Sequence, residues 1–223
     1  YMESSDKNRF IKQYIELYGE ELFLKPSIYS LLKDVSKTSK KSLLSDLEAK
    51  LSLGFRKRDD DLKISHVFGS GDLDADLLII GESPKDHEHE SGKPFVGPSG
   101  KLLDKILKAI GLRRNQNVYL TYILKYKTPE NRDPLISEIN QFLPILINQI
   151  EIIKPKIILG LGKVVGRAFL NLDSNLEDMR NNVHYFESYP LKITYCPEAL
   201  LRDSSLKKYA WEDFKYIRDF LQN

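Results

Sequence analysis

The sequence predicts an α/β protein, a three-layer α/β/α sandwich with a central four-stranded, mainly parallel sheet and a helical arm at its N-terminus. From about residue 62 onward, short apolar runs alternate with stretches of helical periodicity, the pattern of βαβ units. Residues 1–61 have helical periodicity but lack the apolar runs. We therefore divide the chain into a helical N-terminal arm, residues 1–61, and an α/β domain, residues 62–223.

The composition excludes several classes of protein. Charged residues make up 30% of the sequence, and neither a membrane-length apolar run nor a signal pattern is visible. We therefore expect a soluble, intracellular, cytoplasmic protein with no membrane partner. The single cysteine, Cys196, excludes intrachain disulfides and any metal cluster that needs several thiolates from this sequence.

The arm is predicted to hold two helices. Residues 10–18 repeat apolar side chains at helical spacing, and residues 42–53 carry four leucines on one side. The charged run RKRDDD, residues 56–61, is interpreted as a solvated linker.

The α/β domain is predicted to contain four strands and four helices. The strands are residues 76–81, 117–123, 156–161 and 191–195. The first helix is expected to end at Gly111 and the second to begin near Pro134, with a kink at Pro144. A third follows Gly162, and a last one covers residues 205–221. In parallel sheets ligands bind at the carboxyl ends of the strands, so the loops after Gly81, Ile123, Leu161 and Tyr195 are the ones expected to hold a site.

The loop of residues 81–100, GESPKDHEHESGKPFVGPSG, carries the strongest chemical signal. Its glycines allow the backbone to approach a ligand closely, and its prolines stiffen the path. Glu82 emerges at the strand end, where a carboxylate can activate water, and Phe95 lies between two rigid turns, where it can stack on a flat ring. Taken singly, Glu82 could be a cap and Phe95 a core residue.

The same loop resembles the first motif of the family four uracil-DNA glycosylases, whose pattern is close to G-E-A-P-G-x-x-E-D-x-x-G-x-P-F-V-G-x-x-G-x-L-L. It aligns with residues 81–103 without a gap, and the matching residues are Gly81, Glu82, Pro84, Glu88, Gly92, Pro94, Phe95, Val96, Gly97, Gly100, Leu102 and Leu103. Further likeness, such as Asn131-Arg132-x-Pro134 and Trp211-Glu212-Asp213, extends from residue 66 to the C-terminus.

The resemblance implies that the protein extrudes a base from DNA and hydrolyses its glycosidic bond. By this resemblance the catalytic positions are Glu82 and Cys196. The residues expected to bind the base are Gly81, Ser83, Pro84, Phe95 and Tyr122. Those expected to contact DNA are Ser99, Lys101, Leu200 and Arg202, with Leu200 as a wedge that fills the gap left by the flipped base. The implied partner is uracil-containing or otherwise deaminated DNA, single- or double-stranded, which favours a location at the nucleoid.

Three positions outside this loop depart from the family pattern in residues expected to act on the base or the DNA. Tyr122 stands where the family has an asparagine that reads the uracil edge, and a phenol cannot reproduce the donor and acceptor pair of an amide. Cys196 replaces a histidine that stabilises the departing base, and a thiol is a weak donor. Glu198 stands where the family usually has a serine that contacts phosphate, which a carboxylate repels.

No metal and no cofactor is expected. The family's iron-sulfur cluster is excluded because Tyr126 and Phe142 stand at two of its cysteine positions. His87 and His89 could chelate a metal, but histidines on an exposed polar loop are usually solvated. Cys196 could be a nucleophile, but no histidine is visibly placed to activate it, and a buried thiol is the preferred interpretation.

Charge along the chain leaves the choice of partner open. Residues 93–132 hold nine basic and two acidic residues, a local balance of +7 that suits phosphates but is also typical of a solvated helix face.

The sequence leaves three functions open: a weakened glycosylase of base excision repair, an inactive module that binds DNA or docks a protein through its N-terminal arm, and an enzyme for a base other than uracil.

Overall fold

The computed structural model describes residues 39–56, 66–170 and 174–222. Its centre is a six-stranded sheet with the order β1-β3-β2-β4-β6-β5. The strands are β1 (Ser70–Gly71), β2 (Leu77–Gly81), β3 (Val118–Tyr122), β4 (Ile157–Leu161), β5 (Val183–Phe186) and β6 (Tyr189–Thr194). Strands β3, β2, β4 and β6 run parallel, and the two edge strands pair antiparallel.

Helices and short 3₁₀ turns connect the strands. The helices are α1 (Lys40–Arg56), α2 (Asp86–Ser91), α3 (Gly97–Ala109), α4 (Ile136–Ile153), α5 (Lys163–Leu170), α6 (Leu176–Asn181), α7 (Pro197–Arg202) and α8 (Lys207–Gln222). The 3₁₀ turns are Pro129–Asn131 and Ser204–Leu206. No helix in the described part of the chain is both long enough and apolar enough to cross a membrane.

The sheet is covered on both faces because alternate residues of its buried strands point in opposite directions. On one face Leu77, Ile79 and Leu120 share a core with residues of α3 and α8. On the other face Thr121 contacts Gln149 of α4, and Gly160 lies against Val165 of α5. The predicted α/β class with helices on both sides of the sheet is confirmed.

The sheet has six strands rather than the predicted four. The four predicted strands are its parallel centre, where continuous apolar runs are buried on both sides. The two missed strands are edges: β1 has only two residues, Ser70 and Gly71, and β5 is mostly half-buried. Neither has the apolar run that predicts a buried strand. Helix α4 contains Pro144 in its interior, and the kink expected there stays a prediction.

Residues from Leu43 onward form one compact unit. Leu44, Leu47 and Leu51 of α1 are buried, as the leucine periodicity predicted. Glu48 lies 3.5 Å from the ring Nε2 of His66. The leucine face of α1 thus belongs with the α/β unit, whereas the boundary at residues 61 and 62 stays a prediction. The predicted helix of residues 10–18 and most of the linker lie outside the described residues.

Candidate base-binding site

The loops predicted to converge do so at the carboxyl edge of the sheet. Gly81, the last residue of β2, is in register with Tyr122, the last residue of β3. Cys196 follows β6, and a Cβ placed on Gly162, after β4, would be 3.8 Å from the Cys196 Cβ. The parallel centre of the sheet therefore brings Glu82, Tyr122 and Cys196 to one place, as their positions after successive strands require.

Tyr122 and Phe95 form a closed pair of rings in this site. Their centroids are 4.6 Å apart with an interplanar angle of 27°. The Phe95 backbone N–H donates to the Tyr122 hydroxyl at 2.9 Å, and the two residues are 4% and 3% exposed. A Cβ on Gly81 would be 2.7 Å from the Tyr122 ring and 2.8 Å from the Phe95 ring. Tyr122 therefore occupies the surface of Phe95 on which a flat ligand ring was expected to stack.

Tyr122 is also held in place through its backbone carbonyl. The ammonium of Lys125, which is fully buried, donates to the Tyr122 carbonyl at 2.6 Å, to Thr121 Oγ1 at 2.6 Å and to Gln149 Oε1 at 2.5 Å. Burial lowers the pKa of Lys125 well below its usual value, while these three acceptors satisfy its three donors. Burial also raises the pKa of Tyr122 well above its usual value, so its hydroxyl stays protonated.

Phe95 has a strained backbone that its neighbours hold in place. Its φ of 50° lies in the left-handed region, which costs a bulky residue free energy. The Arg114 guanidinium donates to the carbonyl oxygens of Phe95, Pro94 and Gly100. It also pairs with Asp104 at 2.5 Å. In the sequence Arg114 stands out only as part of a basic run, because nothing there links it to a loop fourteen or more residues earlier.

Glu88 supports the same loop from its other end. The carboxylate is 4% exposed and accepts from the Val96 N–H at 2.9 Å and the Lys85 N–H at 3.1 Å. Asp86, two residues earlier, pairs with Lys127 and accepts from the Asn131 amide at 2.9 Å. The loop of residues 81–100 is thus tied to the segment that follows β3.

Replacing Arg114 by alanine is expected to lower the free energy of unfolding by about 2 kcal/mol, because buried carbonyls that accept from a charged donor would lose it. The measurement is urea denaturation followed by far-UV circular dichroism. Arg113→Ala, at an exposed neighbouring arginine, is the control and is expected to change stability by less than about 0.5 kcal/mol. Equal losses in both variants would contradict the role of Arg114 in holding the loop.

Glu82 lies at the mouth of the site beside a lysine. Lys85 Nζ donates to Glu82 Oε1 at 2.8 Å, and the two side chains are 30% and 27% exposed. Lys85 Nζ also lies 3.4 Å from the hydroxyl of the buried residue Ser83. Pro84, which lies between Ser83 and Lys85 in the sequence, is buried. Glu82 thus keeps the exposure to solvent that a water-activating carboxylate needs.

Cys196 is the residue immediately before α7 and packs against the core cluster that contains Phe95 and Tyr122. Burial raises the pKa of its thiol to about 11, and the negative charge of Glu198 acts in the same direction. The thiol is therefore neutral at physiological pH. Cys196 is half-buried rather than buried, and a neutral thiol is a poor nucleophile; its role stays a prediction.

The four predicted DNA contacts differ in exposure. Lys101 is exposed on α3, Arg202 is exposed at the end of α7, and Ser99 is half-buried. Leu200 is 1% exposed and packs with Tyr195 and Ala210, so its side chain cannot enter a duplex as the predicted wedge. The next residue, Leu201, is 49% exposed. The correction follows from the geometry of α7, in which neighbouring residues face different directions.

The basic run of residues 93–132 is only partly available to a ligand. Lys125 is buried, Lys127 pairs with Asp86, Arg132 pairs with Glu138, and Arg114 holds the loop. The remaining five basic side chains are exposed: Lys93, Lys101, Lys105, Lys108 and Arg113. Three of them are on α3, so this helix carries the larger part of the exposed charge.

The positions where the family has cluster cysteines do not fit an iron-sulfur cluster. Tyr126 and Phe142 pack against each other with ring centroids 5.3 Å apart, and the one cysteine of the sequence lies on a different loop. Four thiolates are needed for such a cluster. The Tyr126 hydroxyl donates instead to Glu138 Oε1 at 2.8 Å.

Glu138 makes the stability of this region depend on pH. Hydrogen bonds from Arg132, 2.8 Å from each carboxylate oxygen, lower its pKa from 4.5 to about 2. Because the folded-state pKa is depressed, the stabilisation is present above about pH 4.5 and is lost as the pH falls toward about 2. Glu138→Gln is therefore expected to be less stable than the wild type at about pH 6 and nearly equal to it near pH 2. Parallel urea titrations at the two pH values check this, and a gap that persists at low pH would contradict it.

Together, the parallel sheet, the Glu82 carboxylate at its carboxyl edge and the Phe95 ring covered by Tyr122 define an α/β protein whose strand-end loops meet around these three residues. The chain matches the model of the uracil DNA glycosylase superfamily over residues 68–216. It is similar to the Type-4 uracil-DNA glycosylase of Archaeoglobus fulgidus, 35% identical over 163 residues, which are 70% of this chain and 81% of that protein.

It is also similar to the Type-4 uracil-DNA glycosylase of Sulfurisphaera tokodaii, 38% identical over 163 residues, which are 69% of this chain and 73% of that protein. A DNA polymerase of Bacillus phage SP01 is 29% identical over 154 residues, 69% of this chain but 17% of the polymerase. The chain belongs to the uracil DNA glycosylase superfamily and is like its Type-4 members.

Proposed function

We propose that this chain is a uracil-DNA glycosylase-like protein of base excision repair that binds DNA and hydrolyses the N-glycosidic bond of a flipped uracil or other deaminated base, with strongly weakened activity. We infer the weakened activity from the Tyr122 ring, which is stacked on Phe95. A flipped base needs that surface of Phe95, so the tyrosine must leave it before a base binds. Moving it breaks the bond to the Phe95 N–H and opens a buried cavity.

Glu82 is the proposed catalytic residue for bond cleavage. Its half-exposed carboxylate at the end of β2 supports a role in orienting the attacking water or stabilising positive charge on the sugar. Cys196 is proposed to assist the departing base poorly, because a neutral thiol is a weak hydrogen-bond donor. Loss of one strong donor at a developing negative charge typically costs about 10²-fold in rate.

DNA is proposed to lie across α3 and α7. The exposed lysines of α3, including Lys101, would contact phosphates, and Arg202 would do so from the end of α7. Leu201, exposed at 49%, takes over the proposed wedge role from Leu200. Glu198, half-buried in the first turn of α7, opposes phosphate binding there. A nucleoid-associated location in the cytoplasm follows from this proposal.

A second candidate function is a glycosylase-fold module without turnover. The closed ring pair of Tyr122 and Phe95 supports it, and so does the likeness to a segment that makes up 17% of a phage DNA polymerase. Such a module would bind DNA through the same helices or dock a protein partner through the N-terminal arm.

The test incubates the protein with single-stranded and duplex oligonucleotides that carry one uracil, hypoxanthine or xanthine, and then cleaves abasic sites with alkali. The expected result is slow excision of uracil that Glu82→Ala removes and that Glu90→Ala, at an exposed glutamate of the same loop, retains. Excision that survives Glu82→Ala would overturn the role of Glu82. Absence of excision from every substrate, with salt-dependent DNA binding intact, would select the module without turnover.

A further inference from the structure

The ion pair between Lys85 and Glu82 places an amine beside the proposed catalytic carboxylate. Lys85 Nζ is 2.8 Å from Glu82 Oε1, and its side chain is 30% exposed, so the pair is reachable from solvent. The pattern to which this loop is similar, G-E-A-P-G, has glycine at this position. The lysine therefore departs from that pattern, and the proposed hydrolysis of a glycosidic bond does not require it.

Tyr122 decides which nucleotide fits the site without rearrangement. Its ring covers Phe95, and Gly81 lies in contact with both rings, so no flat base fits between them. Glu82 and Lys85, by contrast, keep about a quarter to a third of their side-chain surface exposed. A flipped nucleotide that lacks its base needs only room for its sugar beside these two side chains.

We propose that the site processes abasic deoxyribose in DNA, with Lys85 forming a Schiff base to the sugar. This inference rests on the proposed binding of DNA at this face. An abasic deoxyribose exists partly in a ring-opened form with an aldehyde at C1′, and a lysine amine condenses with such a carbonyl. No metal, oxidant or reductant is required.

The Glu82 carboxylate accepts a proton from the Lys85 ammonium, and the free amine attacks C1′ to form a carbinolamine. The proton on Glu82 then leaves with the carbinolamine hydroxyl as water, which gives the protonated imine and restores the carboxylate. Glu82 removes a proton from C2′, the C–H electrons form a C2′=C3′ double bond, and the C3′–O bond breaks with the phosphate as the leaving group. Water hydrolyses the protonated imine and releases the Lys85 ammonium and an unsaturated aldehyde. Glu82 then gives the C2′ proton to solvent.

The experiment mixes the full chain with an oligonucleotide that carries a preformed abasic site and adds sodium borohydride, which reduces an imine to a stable amine. The expected result is a protein–DNA adduct on a denaturing gel, with peptide mass spectrometry placing the modification on Lys85. Lys85→Arg retains a positive charge beside Glu82 but cannot form the imine, and it is expected to lose at least about 90% of the adduct. Lys93→Arg, at an exposed lysine of the same loop, is the matched control and is expected to retain it.

Glu82→Gln separates the two chemical stages. It is expected still to allow an adduct, because Lys85 without its ion-pair partner can give its proton to solvent. It is expected to slow alkali-free strand scission by about 10²-fold, the usual size of a general-base effect, because no carboxylate remains to remove the C2′ proton. Binding of the abasic oligonucleotide without any adduct, or an adduct that Lys85→Arg leaves unchanged, would overturn this inference and leave the proposed function intact. If the protein does not bind DNA at all, the proposed function is contradicted, and this inference, which rests on it, is contradicted with it. An oligonucleotide with a tetrahydrofuran residue, which has no aldehyde, must give no adduct.

Discussion

A variant that carries both Tyr122→Asn and Cys196→His is expected to excise uracil at least about 10²-fold faster than the wild type. Asparagine removes the ring that covers Phe95 and supplies an amide donor and acceptor for the uracil edge. Histidine replaces a neutral thiol by a stronger donor for the departing base. The measurement is single-turnover cleavage of a uracil-containing strand, with each single variant in parallel.

Two comparisons make this result interpretable. Tyr122→Phe keeps the ring but loses the hydroxyl that accepts from the Phe95 N–H, and it is expected to lack the gain because the ring still covers Phe95. Thermal unfolding must show that the double variant remains folded, because replacing a buried tyrosine by asparagine removes packing. A folded double variant with no gain would show that the block to excision lies outside Tyr122 and Cys196.

Replacing Asp213 by alanine is expected to lower the free energy of unfolding by about 3–5 kcal/mol, the largest stability effect that we predict for a single side chain. Asp213 on α8 pairs with Arg180 at 2.8 Å and with Lys192 at 3.5 Å, and all three are less than 10% exposed. Its carboxylate also accepts from the Thr194 hydroxyl at 2.6 Å. Removing it leaves two buried cations without their carboxylate.

Urea denaturation of Asp213→Ala checks this prediction, and Asp219→Ala is the matched control on the same helix. Asp219 is exposed and pairs with Arg218 at 2.7 Å, and exposed pairs of this kind typically contribute less than about 1 kcal/mol. A loss for Asp213→Ala no larger than that of the control would contradict a stabilising role of the buried network. Thr194 ends β6, two residues before Cys196. A large loss in the free energy of unfolding would therefore also indicate that the packing of α8 helps to hold the site in place.

Apolar periodicity was enough to predict the parallel centre of the sheet. Strands β2 and β4 are apolar runs, because a strand covered on both faces is largely hydrophobic. Strands β3 and β6 are mainly apolar, and their buried polar side chains Thr121, Lys192 and Thr194 have hydrogen-bond or ion-pair partners. Once the strands are parallel, their carboxyl ends lie at one edge, so the meeting of the loops after Gly81, Tyr122 and Thr194 followed from order alone. The edge strands escaped prediction because edges carry no comparable apolar run.

The site itself was only partly predictable. The resemblance of the loop singled out Glu82 and Phe95, whose roles stay predictions, whereas the part of Arg114 in holding Phe95 depends on a contact between distant segments. Leu200 and Leu201 are chemically alike in the sequence, and only the packing of α7 buries the first and exposes the second. Lys85 differs from the glycine of the family pattern, but its ion pair with Glu82 is visible only in the structure.

By itself, the sequence determined the parallel α/β fold, the family to which its first loop is similar, and the replacement of the expected asparagine by Tyr122. Those features depend on local periodicity and residue identity. Only the tertiary structure decided that the Tyr122 ring lies on Phe95 and that Lys85 pairs with Glu82. The physical reason is that the direction of a side chain is set by the residues that pack around it. The Tyr122 ring contacts Gly81 and Phe95, which are distant in the sequence, and its carbonyl accepts from Lys125, which Gln149 helps to hold.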